Sequence, residues 1–159
     1  MIQAFNYSDL MAKINDKMYE KMGYSAISQG SQGESDEYPF FTYEIINAHI
    51  GIGATDNVNA EVFEMLIEFD AHVSDVATTD DDIFTGSTGA ATLANNLRKF
   101  FTISDIQEWA ALNKFPIVDI SDVTDTTNII SMQVERSAGF QVRLRIKDDF
   151  QDNEEYITQ

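Results

Sequence analysis

Residues Val134 to Phe150 read VERSAGFQVRLRIKDDF. Val134, Ala138, Phe140, Val142, Leu144 and Ile146 take the even positions, with Arg136 as the interruption. Gln141, Arg143, Arg145 and Lys147 take the odd positions, so on a strand their side chains leave opposite the core. The parity extends back through Met132 and Ile130 and runs unbroken through Ser137, Ala138 and Gly139. One long strand over Asn128 to Lys147, bent near Gly139, fits this pattern better than two strands and a tight turn. The cations stand out because the chain of 159 residues carries 27 acidic residues and 10 basic ones.

A second alternation flanks this one in kind. EVFEMLIEFDAHVS, Glu61 to Ser74, puts Phe63, Met65, Ile67, Phe69, Ala71 and Val73 on one face. Glu64, Glu68, Asp70 and His72 lie on the other, with Leu66 as the exception. The pattern predicts a half-buried antiparallel strand, hairpinned across GATDN to a strand from Phe40 to Ile50. Pro39 belongs at the start of that strand because it cannot donate to a ladder. Upstream, Tyr7, Leu10, Met11, Ile14, Met18 and Met22 form the apolar stripe of a helix over Asn6 to Met22. Ser8 is the expected N-cap and Gly23 the stop.

Residues 24–37, rich in Ser, Gly and Gln, read as a flexible connector, and 148–159 as an acidic tail. Two helices follow the hairpin, Ser87 to Phe101 and a shorter one from Ser104, where Ser104 and Gln107 have capping-box spacing. FPIVDISDV supplies a further strand before the last. The order α-β-β-α-α-β-β gives an α+β fold, a largely antiparallel sheet of about four strands with helices on one side. A single domain over 1–159 is expected.

Charge and composition narrow the function. A formal charge of −17 repels phosphate, which argues against tight nucleic-acid binding and against anionic membrane surfaces. It also suits a DNA-mimic inhibitor. The absence of cysteine removes thiolate metal sites, disulfides and cysteine catalysis. The sequence has no apolar run long enough to span a bilayer, and MIQAFNYSDLMAKINDK lacks the pattern of a signal peptide. Asp80, Asp81 and Asp82 are consecutive and point different ways, unlike the alternating ligands of a calcium loop. GSTGAATL lacks the Lys and spacing of a phosphate-binding loop. His49 and His72 have no clear third partner for zinc. A non-enzyme with no cofactor and no metal is the expectation.

The two charged faces admit two arrangements. Glu64, Glu68 and Asp70 can pair with Arg143, Arg145 and Lys147 across neighbouring strands of one chain. Alternatively the basic edge of one subunit meets the acidic face of the next, the head-to-tail contact that builds rings. These six residues and Arg136 are the subunit-interface candidates.

Several stretches together resemble the bacteriophage neck or tail terminator proteins. Tyr38-Pro39-Phe40-Phe41-Thr42-Tyr43 is similar to the family's Pro-aromatic-x-Thr-Tyr start of the first strand. Glu61 to Ser74 resembles its second strand, and Phe115-Pro116-Ile117-Val118-Asp119-Ile120 its third. Most specific is Glu135-Arg136-Ser137-Ala138-Gly139-Phe140-Gln141-Val142, similar to a Glu-Arg-x-x-Gly-Phe-Asp-Val run with Gln141 where Asp is usual. A long acidic insert near Thr78 to Gly89 is a second departure.

The resemblance implies a structural virion protein, made in the host cytoplasm and built into the tail-neck region. It implies a ring of subunits, six by family likeness, that ends tail-tube polymerisation and docks the head-completion or connector protein. Tail tube protein, connector and sheath protein are the implied partners, with DNA passing through the lumen unbound. Asp75, Asp80, Asp81 and Asp82 are then candidates for the lumen or for a neighbouring ring. Another neck, head-completion or minor tail protein is the nearest alternative within the resemblance.

Overall fold

The structure, a computed structural model, describes residues 5–28, 38–53, 60–75, 84–127 and 135–148. Helix α1 spans Tyr7–Met22. Strands β1 (Ala26–Ser28), β2 (Phe40–Gly51) and β3 (Val62–Ser74) follow. Helices α2 (Gly86–Thr102) and α3 (Ser104–Leu112) precede β4 (Ile117–Ile120), β5 (Thr124–Asp125) and β6 (Glu135–Lys147). The sheet order is β1-β2-β3-β6-β4, and β5 also pairs with β6.

The fold is α+β as read from the sequence, but among the described residues the sheet has six strands and is mixed. The two unforeseen strands are β1, which runs parallel to β2, and β5. Neither is long enough to show an alternation. β1 lies within the segment read as a connector, where its Ala26 amide donates to Asn15 Oδ1 of α1. Residues 29–37 of that segment lie outside the described residues.

β3 and β6 pair antiparallel from Val62–Lys147 to Ser74–Glu135 without a register shift. The stretch Glu135 to Lys147 is therefore one strand, and no bulge marks Gly139. The portion read upstream of it, 128–134, falls outside the described residues. β2 pairs with β3 less regularly. Register shifts between Ile45 and Asn47 and between Asn47 and Ile50 each insert one extra residue into β2, which re-aims its side chains.

The even residues of β6 and the odd residues of β3 form one face of the core, with α1, α2 and α3 supplying most of the rest beside Ala26, Phe41 and Phe115. Phe69 and Phe140 face each other across the register with ring centroids 5.9 Å apart. Phe101 of α2 packs 5.1 Å from Phe69, and Phe100 packs edge-on against Phe101. Leu93, Ala94 and Leu97 continue that helix face, and Leu10, Met11, Ile14 and Met18 form the buried stripe of α1. Lys17 of α1 sits 5.6 Å from the ring centre of Trp109 on α3, covering its edge of the helix layer.

Two helix starts differ from the sequence reading. Asn6, not Ser8, caps α1, because its Oδ1 accepts from the Asp9 amide at 3.0 Å. Ser104 makes no capping box; Ile103 occupies the cap of α3 with no side-chain bond. There α2 runs almost directly into α3, so the Ile103 carbonyl accepts from the Ile106 and Gln107 amides instead. Gly23 ends α1 as expected, in the left-handed region at φ 77° where a Cβ is disfavoured. In urea unfolding, Asn6→Ala should cost about 1 kcal/mol while Ser8→Ala stays within a few tenths.

Candidate functional site

The sheet face turned away from the core layer was expected to be solvated. Its centre is buried instead. Glu64, Asp70 and His72 are 7%, 5% and 9% exposed. The cause is position: β3 is a central strand, so side chains of β2 and β6 close over it from both sides. Three polar clusters line it in sequence.

At one end, Glu64 stands directly opposite Arg145 in the register, with Arg143 diagonal to it. Arg143 Nη1 donates to Glu64 Oε1 at 3.2 Å. Arg145 donates to Oε2 from Nε at 3.1 Å and from Nη2 at 2.9 Å. The Arg145 hydrogen bonds, with Arg143 beside them, hold the Glu64 carboxyl below the usual carboxylate range against the opposing effect of burial. Both arginine side chains stay partly exposed, but their carboxylate partner is in their own chain. Of the two arrangements open in the sequence, the cross-strand one is present.

In the middle, Asp70 stands opposite Gly139. A Cβ at Gly139 would overlap Asp70 Oδ1 and come within 2.6 Å of the Phe69 carbonyl oxygen. The missing side chain also leaves room across β6 for Thr126, whose hydroxyl donates to Asp70 Oδ1 at 3.0 Å. Glu68 shares the face with Asp70, and Glu44 is the register partner of Glu68. Burial, followed by repulsion from Glu68, pushes the Asp70 carboxyl up to about 7.

At the far end, His72 lies stacked on Phe40 with centroids 4.8 Å apart. Its Nε2 is 2.8 Å from Thr42 Oγ1, and its Nδ1 lies 3.4 Å from Glu135 Oε2. Tyr38 donates its hydroxyl to Glu135 Oε1 at 3.2 Å. Burial pushes His72 down, with Glu135 opposing it, and burial beside Glu135 pushes the Tyr38 phenol up. Next to this cluster Arg136, the one charge on an apolar parity, donates from Nε to Asp75 Oδ1 at 2.9 Å.

The sequence candidates thus divide. Glu64, Arg143 and Arg145 come together, as do Arg136 and Asp75. Glu68 and Asp70 join a carboxylate group, and Lys147 stands at the exposed end of β6. Asp80, Asp81 and Asp82 lie outside the described residues. His49 and His72 sit on separate strands with separate partners; His49 Nε2 is 3.1 Å from both Glu61 oxygens. Tyr38, Thr42 and Glu135 entered only as motif residues, and Thr126 not at all, because no local spacing announces a contact such as Tyr38 with Glu135, 97 positions apart.

These clusters neutralise and desolvate charge, and the hydroxyl that lies beside an imidazole, Thr42 at His72, is fully buried. They explain the Glu-Arg-x-x-Gly-Phe stretch residue by residue. Glu135 accepts from Tyr38 and lies beside His72, Arg136 holds Asp75, Gly139 makes room for Asp70, and Phe140 meets Phe69. Asp70 also sets a pH dependence. Between its unfolded value near 4 and its folded value of about 7, the folded chain holds a proton that the unfolded chain has released. Its contribution to stability therefore falls as pH rises through that window. Thermal unfolding of Asp70→Asn against wild type should show the variant gaining about 4 kcal/mol relative to wild type from about pH 4 to about pH 8. A constant difference would contradict the buried carboxyl.

Residues 8–159 match the family model described as phage neck terminator protein. No curated protein matches the chain.

Proposed function

The chain belongs to the phage neck terminator family, and on that premise we propose that it forms a closed ring at the head-proximal end of a phage tail. It is a structural protein of the bacteriophage neck, a family that is not a class of enzymes, and its place is the tail-neck region of the virion. No helix among the described residues is long and apolar enough to cross a membrane.

In the proposed ring, each subunit is one unit over residues 1–159, and by family likeness the ring has six. Its lower side ends tail-tube polymerisation. Its upper side docks the head-completion or connector protein, with sheath protein as a further neighbour where the tail has one. DNA passes through the lumen. A net charge of −17 offers the phosphates no foothold there.

The observation that carries the ring is the pair of sheet edges. β1 covers only Phe41 to Tyr43 of β2, so among the described residues Glu44 to Gly51 have no strand on their outer side. Ile46, 45% exposed, lies on that stretch. The opposite edge is β4, where Val118 is 39% exposed. Two different edges on one subunit suit a heterologous, head-to-tail contact, which closes into a ring when the rotation allows. Glu68 and Lys147, which keep exposure, flank this contact, while Arg143 and Arg145 are engaged by Glu64 within the subunit. Glu64, Asp70 and Arg136 act inside the subunit. Asp75 marks the start of the acidic loop whose Asp80, Asp81 and Asp82 face the lumen or the next ring.

Light scattering over a wide concentration range, with negative-stain images of the same samples, tests the proposal. Rings with a DNA-sized hole are expected, alone or on tail tubes. Ile46→Lys should abolish them and leave the subunit's melting temperature within about 2 °C. A wild-type monomer at every concentration, unaltered by added tubes, would refute the ring.

A further inference from the structure

A pocket of about 480 Å³ opens where the start of α1, the end of α3 and the end of β6 meet. Lys13, Lys114 and Lys147 line it, three of the chain's ten basic residues. Its acids are Asp9, 3.5 Å from Lys13, and Asp148. Phe115 and Ile146 give it an apolar floor, and Leu112 on its rim is 77% exposed, an apolar side chain without cover among the described residues. In a chain of charge −17, a lysine-rimmed hollow with an apolar floor fits an acidic peptide carrying aromatic side chains.

The chain itself has such a peptide at this spot. The Asp148 amide still donates to the Glu61 carbonyl at 2.8 Å, and the Lys147 amide to that of Lys114 at 3.3 Å, so the strand is held up to the pocket's lip. The eleven residues beyond, DFQDNEEYITQ, contain Asp149, Asp152, Glu154 and Glu155, no base, and Phe150, Tyr156 and Ile157. Extended, they reach about 37 Å, far more than the pocket requires. A tether that starts at the lip gives an effective concentration on the order of millimolar, ahead of any acidic peptide in solution.

We propose that this pocket is the docking site of the chain's own C-terminal segment, 149–159, whose carboxylates meet the lysines and whose aromatic side chains cover Leu112. The inference stands apart from the ring. It assigns the pocket a partner, and it means that an acidic segment of another protein reaches these lysines only by displacing the tail.

The absence of native cysteine allows a direct test in the full chain. Leu112→Cys with Tyr156→Cys is oxidised with glutathione disulfide, beside a control pair, Asn95→Cys with Tyr156→Cys, whose helix position lies at another surface hollow. The proposal expects a disulfide within one chain, forming at least about tenfold faster in the first pair. Lys13→Glu with Lys147→Glu should slow it to the control rate, as should about 1 M salt, which screens the attraction without altering the fold. Equal rates in the two pairs would overturn the proposal. So would a disulfide linking two chains, which would assign the pocket to a neighbouring copy's tail, and so would a rate indifferent to both salt and lysine reversal.

Discussion

The thirteen-residue register between β3 and β6 is the constraint from which most of this structure follows. Slipping it by one residue would turn Phe63, Met65, Ile67, Phe69, Ala71 and Val73 from the core to the outer face. The same slip would separate Glu64 from Arg145 and set a side chain against the Asp70 carboxylate that needs the space at Gly139. Apolar and polar faces thus specify one alignment independently. Burial drives the pairing, and the polar contacts penalise alternatives, since a carboxylate buried without its partner is costly.

That double specification explains what could be read from the sequence. Both long alternations, and hence β3, β6 and the core they share with α2, are written in a period that survives without neighbours in view. The three helices follow from their stripes. The short strands did not follow, because Ala26–Ser28 and Thr124–Asp125 are defined by the strand beside them and not by any pattern of their own. The Asn6 cap lies two residues before a plausible Ser8. On the outer face, alternation identified the charged side chains but not their burial. Burial there is a property of a central strand, and strand order is absent from local spacing. Thr126 and Asp70, 56 positions apart, meet only because Gly139 lets them.

For a neck protein, the consequence is a division of labour within one sheet. Charge is met inside the chain on both faces, with Glu64 held by two arginines on the outer face and Asp75 by Arg136 on the core parity. In the proposed ring, the strand edges at either end remain for other chains. A subunit organised this way keeps its fold independent of assembly. Under the proposed function, its contacts with other neck proteins are then made without remodelling the core.

The central claim is that the Glu64–arginine cluster stabilises the subunit and does not hold subunits together. A double-mutant cycle with Glu64→Gln and Arg145→Gln, read by urea unfolding and by light scattering on the same samples, tests it most directly. The account predicts a coupling of about 1 kcal/mol in stability and an assembled mass equal to wild type in all variants. Additive stability changes together with loss of assembled mass would contradict it and would move the cluster to the boundary between subunits.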